Sequence, residues 1–519
     1  MDMHDVKRLI YNGEKVDIEC KKAESNIPKS VYESYSGFAN TKGGYIFLGI
    51  KEDKSKSKPE ERFSIEGINN ASKQIEDFWN TINGSKVNMN ILKDEDVFTV
   101  KEAETTVIVI RVPRANYNMR PIYVGENPYK GSFKRNHEGD YHMPIHEVDA
   151  MIRDKNPEGN DSMILEGFTM GDIDELTLKQ YRQRFQGRNP EHVWNAMDDK
   201  TFLENLGGYR KDRRTGVDGL TVAGLLMFGK GLAIREEFDN IFMDYRDQSN
   251  ITPEIRWNDR VTYDGSWENN LFNFFTKVTP KLIADLKRPF RLENMERVDD
   301  TIIHKAIRES FVNLIIHSDY TLDASVLKII KYADGFEFTN PGILKLPVEE
   351  IYKGGNSKSR NPRMQTMLRM VGFGDNAGSG FPTILHAWRS QGWVEPELYE
   401  DTNLNQVTLT LKMVKATETE EATETAEATE TAEATETAEA TETVEATETV
   451  EATEIVEELS DRQEQILKAM DRNVEYSSEE IATMIGLKTT RTKELLKELI
   501  SMHKVKAIGK TRGRRYIKA

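Results

Sequence analysis

The sequence predicts a multidomain α+β protein: two mixed domains, a tether, and a small helical unit closed by a β-hairpin. Three observations predict this. Helix-period and strand-period patterns alternate as far as Lys415. Seven hexads built from Ala, Thr and Glu then fill 416–457. Beyond them, 460–519 holds three amphipathic helical patterns and two short strands around a basic, glycine-bearing loop. A chain of 519 residues accommodates three or four domains at about 150 residues each.

The elements follow in order. "HDVKRLIYNG" predicts a short helix stopped by Asn-Gly. "KVDIECK" alternates and predicts a strand, "SVYESYSGFANT" a helix, and "GGYIFLGI" and "TTVIVIRVP" buried strands. "RDKNPEGNDS" breaks the pattern and separates a first domain, 1–155, from a second, 160–415. In the second domain "DGLTVAGLLMFGKG" (Asp218 to Gly231) predicts a helix entering a glycine turn. A helix is predicted over 302–317, followed by strands "SVLKIIKY" and "GFEFTN" joined at Ala333-Asp334-Gly335. The spacing of a Walker A loop is absent throughout.

The hexads contain fifteen Glu and no Lys, Arg or Asp, so the formal charge of −16 becomes −16 + 15 = −1 without them. The acidity belongs to one segment, 416–459, and says little about the folded parts. Its Glu residues would crowd at i, i+3 in a helix, without Lys partners. It reads as a solvated linker with an end-to-end span of about 35 Å; a recognition segment or helical rod is the alternative. Cys20 is the one cysteine, which excludes an intrachain disulfide framework and fits a reducing cytoplasm. The N-terminus lacks a signal-peptide core, and no apolar run approaches 18 residues, so no membrane partner is expected.

Glu19-Cys20-Lys21, Phe38-Ala39-Asn40-Thr41, Gly43-Gly44 and Gly49-Ile50-Lys51-Glu52 together resemble the Schlafen AlbA-type (divergent AAA) domain. "RPIYVGENPYKGSFKRNHEGDYHM" resembles that family's closing hairpin. The paired glycines permit a tight turn, and Asn40 can hold it. The resemblance implies nucleic-acid binding, DNA or RNA. In members that cut RNA it implies a metal-holding carboxylate trio, here Glu14, Glu19 and Glu52, with Asp53 as a substitute. Lys21, Lys42, Arg120, Lys130, Lys134 and Arg135 could contact phosphate, or simply be surface.

Within the 302–317 helix, Glu309, Asn313 and His317 recur at four-residue intervals among Phe311, Val312, Leu314, Ile315 and Ile316. One helix face therefore carries a polar stripe that must meet something polar. Arg308-Glu309, Asn313, His317-Ser318-Asp319-Tyr320, Asn340-Pro341-Gly342, Arg360-Asn361-Pro362 and Gly378-Ser379-Gly380 are similar to a GHKL-like (Bergerat) ATP-binding module that follows AlbA-type domains in transcriptional regulators. The resemblance implies ATP and Mg2+ as cofactors. It makes Asn313 the metal ligand, Glu309 the base for any ATP hydrolysis, and His317, Asn340, Gly342, Gly378 and Gly380 nucleotide-binding residues. Asn340 stands where the family has Asp, and Ser318 where it has Arg. A buried polar cluster satisfied by its neighbours remains the alternative reading.

At 460–519 the order is helix, helix, turn, helix, β-wing, the arrangement of a winged helix-turn-helix. Ser460 and Ser477 or Ser478 are the candidate caps. Ile466, Leu467, Met470, Ile481, Met484, Ile485, Leu495, Leu496, Leu499 and Ile500 are the candidate core. From Lys488 to Ala519 there are eleven Lys or Arg and two Glu. Thr489, Thr490, Arg491, Thr492 and Lys493 would enter the major groove, with Lys510, Arg512, Arg514 and Arg515 on the wing. The fold class these resemblances imply is an AlbA-type α/β domain, a GHKL-like α/β sandwich and a winged helix-turn-helix. The expected function is an ATP-binding, nucleic-acid-binding transcriptional regulator, cytoplasmic and homo-oligomeric. The alternative is a nucleotide-gated, metal-dependent nuclease effector.

Overall fold

The computed structural model describes residues 1–415 except 12–16, 54, 57, 137–138, 253–254, 287–291, 294–295, 298–299, 323–324 and 375–379, and a scattered set within 466–518. Two compact units divide at Thr431 and Ala432.

The first unit opens with helix Met3–Tyr11, capped reciprocally by the Asp2 and Asp5 side chains. Its first sheet runs Ile18–Lys21, Gly44–Leu48, Thr105–Val112, Val97–Glu102 in spatial order. Only the first pair is parallel, placing Glu19 opposite Ile46. Strict alternation sends Ile46, Leu48, Ile108 and Ile110 to one core with helix Ser30–Asn40, and Phe47, Val107 and Val109 to another with helix Met3–Tyr11. Asn40 ends the helix and stitches the domain: Nδ2 donates to the carbonyls of Ile122 (2.8 Å) and Phe133 (3.0 Å), and Oδ1 accepts from the Ile122 amide. Gly43 (φ +79°) makes the turn, and a Cβ on Gly44 would strike the Asp17 carbonyl and the Phe38 ring. The hairpin Phe133–Asn136/Gly139–His142 closes the domain.

The second sheet has six strands in the order Asp259–Thr262, Ile241–Gln248, Ser325–Tyr332, Gly335–Pro341, Gln406–Lys412, Glu397–Asp401. Its one parallel pair, Ile241–Gln248 with Ser325–Tyr332, needs a long crossover. Helices Leu271–Ile283 and Ile302–His317 supply it. Phe274, Phe275, Phe311, Ile315, Ile384 and Trp388 from the helices share one core with Leu327, Ile329, Phe336, Phe338 and Leu409 from the sheet. One expectation is corrected: Asp218–Leu220 is a strand, the helix is only Val222–Phe228, and Gly231 opens a further helix to Glu237. Thr221 between them caps the helix through its side chain, which stops the helix from starting earlier.

In the second unit, Ser477 and Glu480 form a capping box at the start of helix Ser478–Met484. Val505–Ile508 and Arg515–Lys518 pair antiparallel. Ile466, Met470, Ile481, Leu495, Leu496 and Leu499 are buried together. Met484 is not part of that core; it is 53% exposed. Leu467, Ile485 and Ile500 lie outside the described residues, as do Ser460 and the hexads. Among the described residues, no helix is long and apolar enough to cross a membrane.

Candidate functional site

The helix Ile302–His317 begins at Thr301, whose side chain accepts from the His304 amide. An α-helix leaves its last four carbonyls without intrahelical partners, and here each one is answered. Ser318 Oγ donates to Leu314 O (2.6 Å), Tyr320 Oη to Ile315 O (2.9 Å), and the amides of Arg360 and Asn361 to Ile316 O (3.0 and 2.9 Å). The Arg360 guanidinium takes the His317 carbonyl. Asn361 Nδ2 adds a bond to Ser318 O at 2.8 Å. The strings His317-Ser318-Asp319-Tyr320 and Arg360-Asn361-Pro362 are therefore the fixed end of this helix. Arg360 is itself held by Asp154, Nε to Oδ1 at 2.8 Å and Nη2 to Oδ2 at 2.9 Å.

Anchored in this way, the helix turns Glu309, Asn313 and His317 into one pocket. The opposite wall is Phe338 and Asn340 with Val407 and Leu409 on the next strand. Gly380 and Phe381, at the start of helix Gly380–Ser390, close one end. Leu344, Lys345 and Lys358 line the rim. The space is about 1000 Å³ counting its mouth and the solvent open to it.

Its electrostatics favour an anion. Burial pushes His317 down to about 4, and Arg360 and Lys345 push the same way, so His317 is neutral near pH 7. Burial likewise brings Lys345 down to about 8; Asp154 opposes this, while Arg360, Arg120 and Lys358 add to it. A Cβ on Gly380 would fall on the Glu309 carboxylate and within 3.4 Å of Asn313 Nδ2. Gly380→Ala is therefore expected to leave folding intact, because Glu309 can swing aside, while ligand affinity falls roughly tenfold. Paired melting and calorimetric titrations check both halves.

Of the residues expected at the nucleotide, the pocket gathers Glu309, Asn313, His317, Asn340 and Gly380. Gly342 (φ +97°) lines a neighbouring cavity with Asn40, Thr41 and Asp319. Gly378 lies outside the described residues. Sequence reasoning missed Lys345 and Lys358, which carry no motif, and gave Arg360 no role beyond its string.

The carboxylate trio is placed differently. Glu19 is buried and paired with Arg135 Nη1 and Lys21 Nζ, each at 2.5 Å. Glu52 accepts from Arg62 Nε at 2.7 Å. Asp53 is exposed and turned onto Ser55. Glu14 lies outside the described residues. Among the described residues, the one group of three or more His, Cys, Asp or Glu compact enough for a metal is Asp2, His4 and Asp5, and its two carboxylates already cap the first helix. Of the six basic residues offered to phosphate, Arg135, Arg120, Lys21 and Lys134 are internally engaged. Lys42 and Lys130 are exposed. On the C-terminal unit Arg515 is exposed and 3.1 Å from Glu480. Thr489, Thr490, Arg491, Lys493, Lys510, Arg512 and Arg514 lie outside the described residues.

Residues 14–144 match the family described as "Schlafen, AlbA_2". Residues 325–411, which supply the sheet wall of the pocket and the Gly380 helix, match the family described as "Putative ATP-dependent DNA helicase recG C-terminal". The chain carries an AlbA_2-type domain and a RecG C-terminal ATPase-type domain. Residues 149–244, between them, match a domain of unknown function. Among solved structures, the chain is similar to the DIP2311 protein from Corynebacterium diphtheriae, at 16% identity over 98% of this chain and 95% of that one, with a TM-score of 0.38. It is also similar to the N-terminal domain of a RecG-related protein from Nitrosomonas europaea, at 20% identity over 28% of this chain and 89% of that one, with a TM-score of 0.21. No curated protein matches.

Proposed function

We propose that the protein binds ATP at the pocket of the RecG-type domain and acts as a DNA-binding transcriptional regulator. The observation that carries the ATP reading is the pairing of Glu309 and Asn313 on one helix face, opposite the Gly380 helix start, in a pocket rimmed by Lys345 and Lys358. Lysines at the rim suit phosphates. The Asn313 amide oxygen and the Glu309 carboxylate are the hard oxygen donors that Mg2+ prefers. Asn313 would hold such an ion, and its charge would offset that of the phosphates. Glu309 would orient an attacking water. With Asn340 Nδ2 engaged by the Pro341 carbonyl at 3.3 Å, Oδ1 is the atom suited to accept from the adenine amino group. The neutral His317 adds no positive charge of its own.

DNA is the proposed partner, taken by the basic segment 460–519, and the working form is a homo-oligomer. The cutting alternative finds less support, because Glu19 and Glu52 each spend their charge on an arginine. Duplex binding by the full chain, followed against salt, tests the DNA reading. Each phosphate contact adds about −0.9 to the log–log slope. Replacing Arg512, Arg514 and Arg515 with alanine is expected to flatten that slope by about three. An unchanged slope would move DNA binding elsewhere.

A further inference from the structure

The buried positive charge beside the pocket outnumbers its partners. Arg114 is consumed by Glu400, with Nη1 to Oε2 at 2.6 Å and Nη2 to Oε1 at 2.9 Å, and Arg360 by Asp154. Two further cations have no carboxylate at ion-pair distance among the described residues. Lys345 is 8% exposed and sits over the Tyr117 ring at 4.6 Å. Arg120 is 2% exposed, with Nε and Nη1 buried and unbonded. Burial pushes Arg120 down to about 9; Arg114 and Arg360 add to the effect, while Asp154 and Glu400 oppose it from beyond contact distance. A buried cation with no carboxylate in contact is costly to keep, and a site that later receives an anion is one reason to keep it.

The same residues tie the AlbA_2-type domain to the pocket rim. Arg114 and Arg120 both donate to the Leu344 carbonyl, at 2.9 and 3.2 Å. Glu400 accepts from the Leu344 amide at 2.7 Å. Ile343 packs on Met143, Val148 and Met151. The segment that presents Lys345 is therefore shaped by residues of the preceding domain, more than 220 positions away along the chain.

We propose that the AlbA_2-type domain completes the nucleotide pocket: its Arg114–Arg120 segment positions Lys345, and Lys345 takes the negative charge of the bound nucleotide's phosphates. This rests on the nucleotide reading above, singles out Lys345 among its lysines and adds a domain requirement to it. Ligand binding and the seating of the N-terminal domain then become one coupled equilibrium, each strengthening the other.

The test is calorimetry on the full chain with three probes: magnesium ATP, magnesium tripolyphosphate and adenosine. Lys345→Met is expected to weaken ATP and tripolyphosphate about tenfold or more and leave adenosine unchanged, while Lys345→Arg retains most of the ATP affinity. Arg114→Ala, which removes no pocket-lining side chain, is expected to weaken ATP similarly. Should that variant fold poorly, Lys345→Met decides alone, since its side chain makes no ion pair to lose. Wild-type binding of ATP with equal affinity in Lys345→Met overturns the inference and leaves the nucleotide reading standing. Equal loss of adenosine overturns the assignment to phosphate. Failure of the wild type to bind ATP or tripolyphosphate overturns both.

Discussion

Asn313→Ala is expected to reduce magnesium-dependent ATP binding about 10- to 100-fold. The figure follows from losing one interaction with a charged group, about 1.5–3 kcal/mol. Stability should not fall with it. Asn313 is only half-buried, sits mid-helix in Ile302–His317, and gives way to a residue that favours helix by several tenths of a kcal/mol. The melting temperature should hold or rise slightly. Calorimetric titration alongside a melting scan separates the outcomes. Lost binding with retained melting makes this helix face a nucleotide site; retained binding removes Asn313 from it.

The largest stability effect is expected at Asp154. Its two oxygens hold Arg360 in a buried, two-pronged pair, and Arg360 holds the end of the site helix. Asp154→Asn strands a buried guanidinium, a change that costs about 3–5 kcal/mol. The melting temperature of the first unit should fall by several degrees, and ATP binding should weaken with it. The pH dependence has a definite sign. Burial raises the Asp154 carboxyl, but Arg360's charge and hydrogen bonds outweigh burial and hold it below its ordinary value, with Lys345 and Arg120 adding to the effect. A depressed carboxyl contributes stability that is fully present above the unfolded value of about 3.9 and is lost as pH falls through the folded one. Acid melting curves of wild type and Asp154→Asn should therefore converge below about pH 4. Parallel curves would show that the pair is energetically silent.

These two residues differ in how far the sequence reveals them. The Glu309–Asn313–His317 stripe is legible because helical periodicity is local: four-residue spacing among apolar neighbours needs a helix and a polar target, whatever surrounds it. Asp154 has no such signature. It sits at the end of an amphipathic helix, and its partner lies 206 residues on. Arg360 was visible only as part of a motif string, and its work proved to be backbone capping and ion pairing. Glu19 shows the reverse case. Its string suggested a metal ligand, yet the fold buries it against Arg135, 116 residues away, leaving its charge compensated.

The sequence by itself determined most of the described elements and the polar face of the Ile302–His317 helix, because periodicity and caps act over a few residues. Only the tertiary structure decided where that face points, which cations surround it, and that the segment carrying Lys345 is hydrogen-bonded by the domain before it. Those features depend on pairs such as Arg114 and Glu400, 286 positions apart. Their meeting is set by how the sheets and helices stack, and a charged residue's neighbours in sequence say little about which opposite charge the folded chain brings to it.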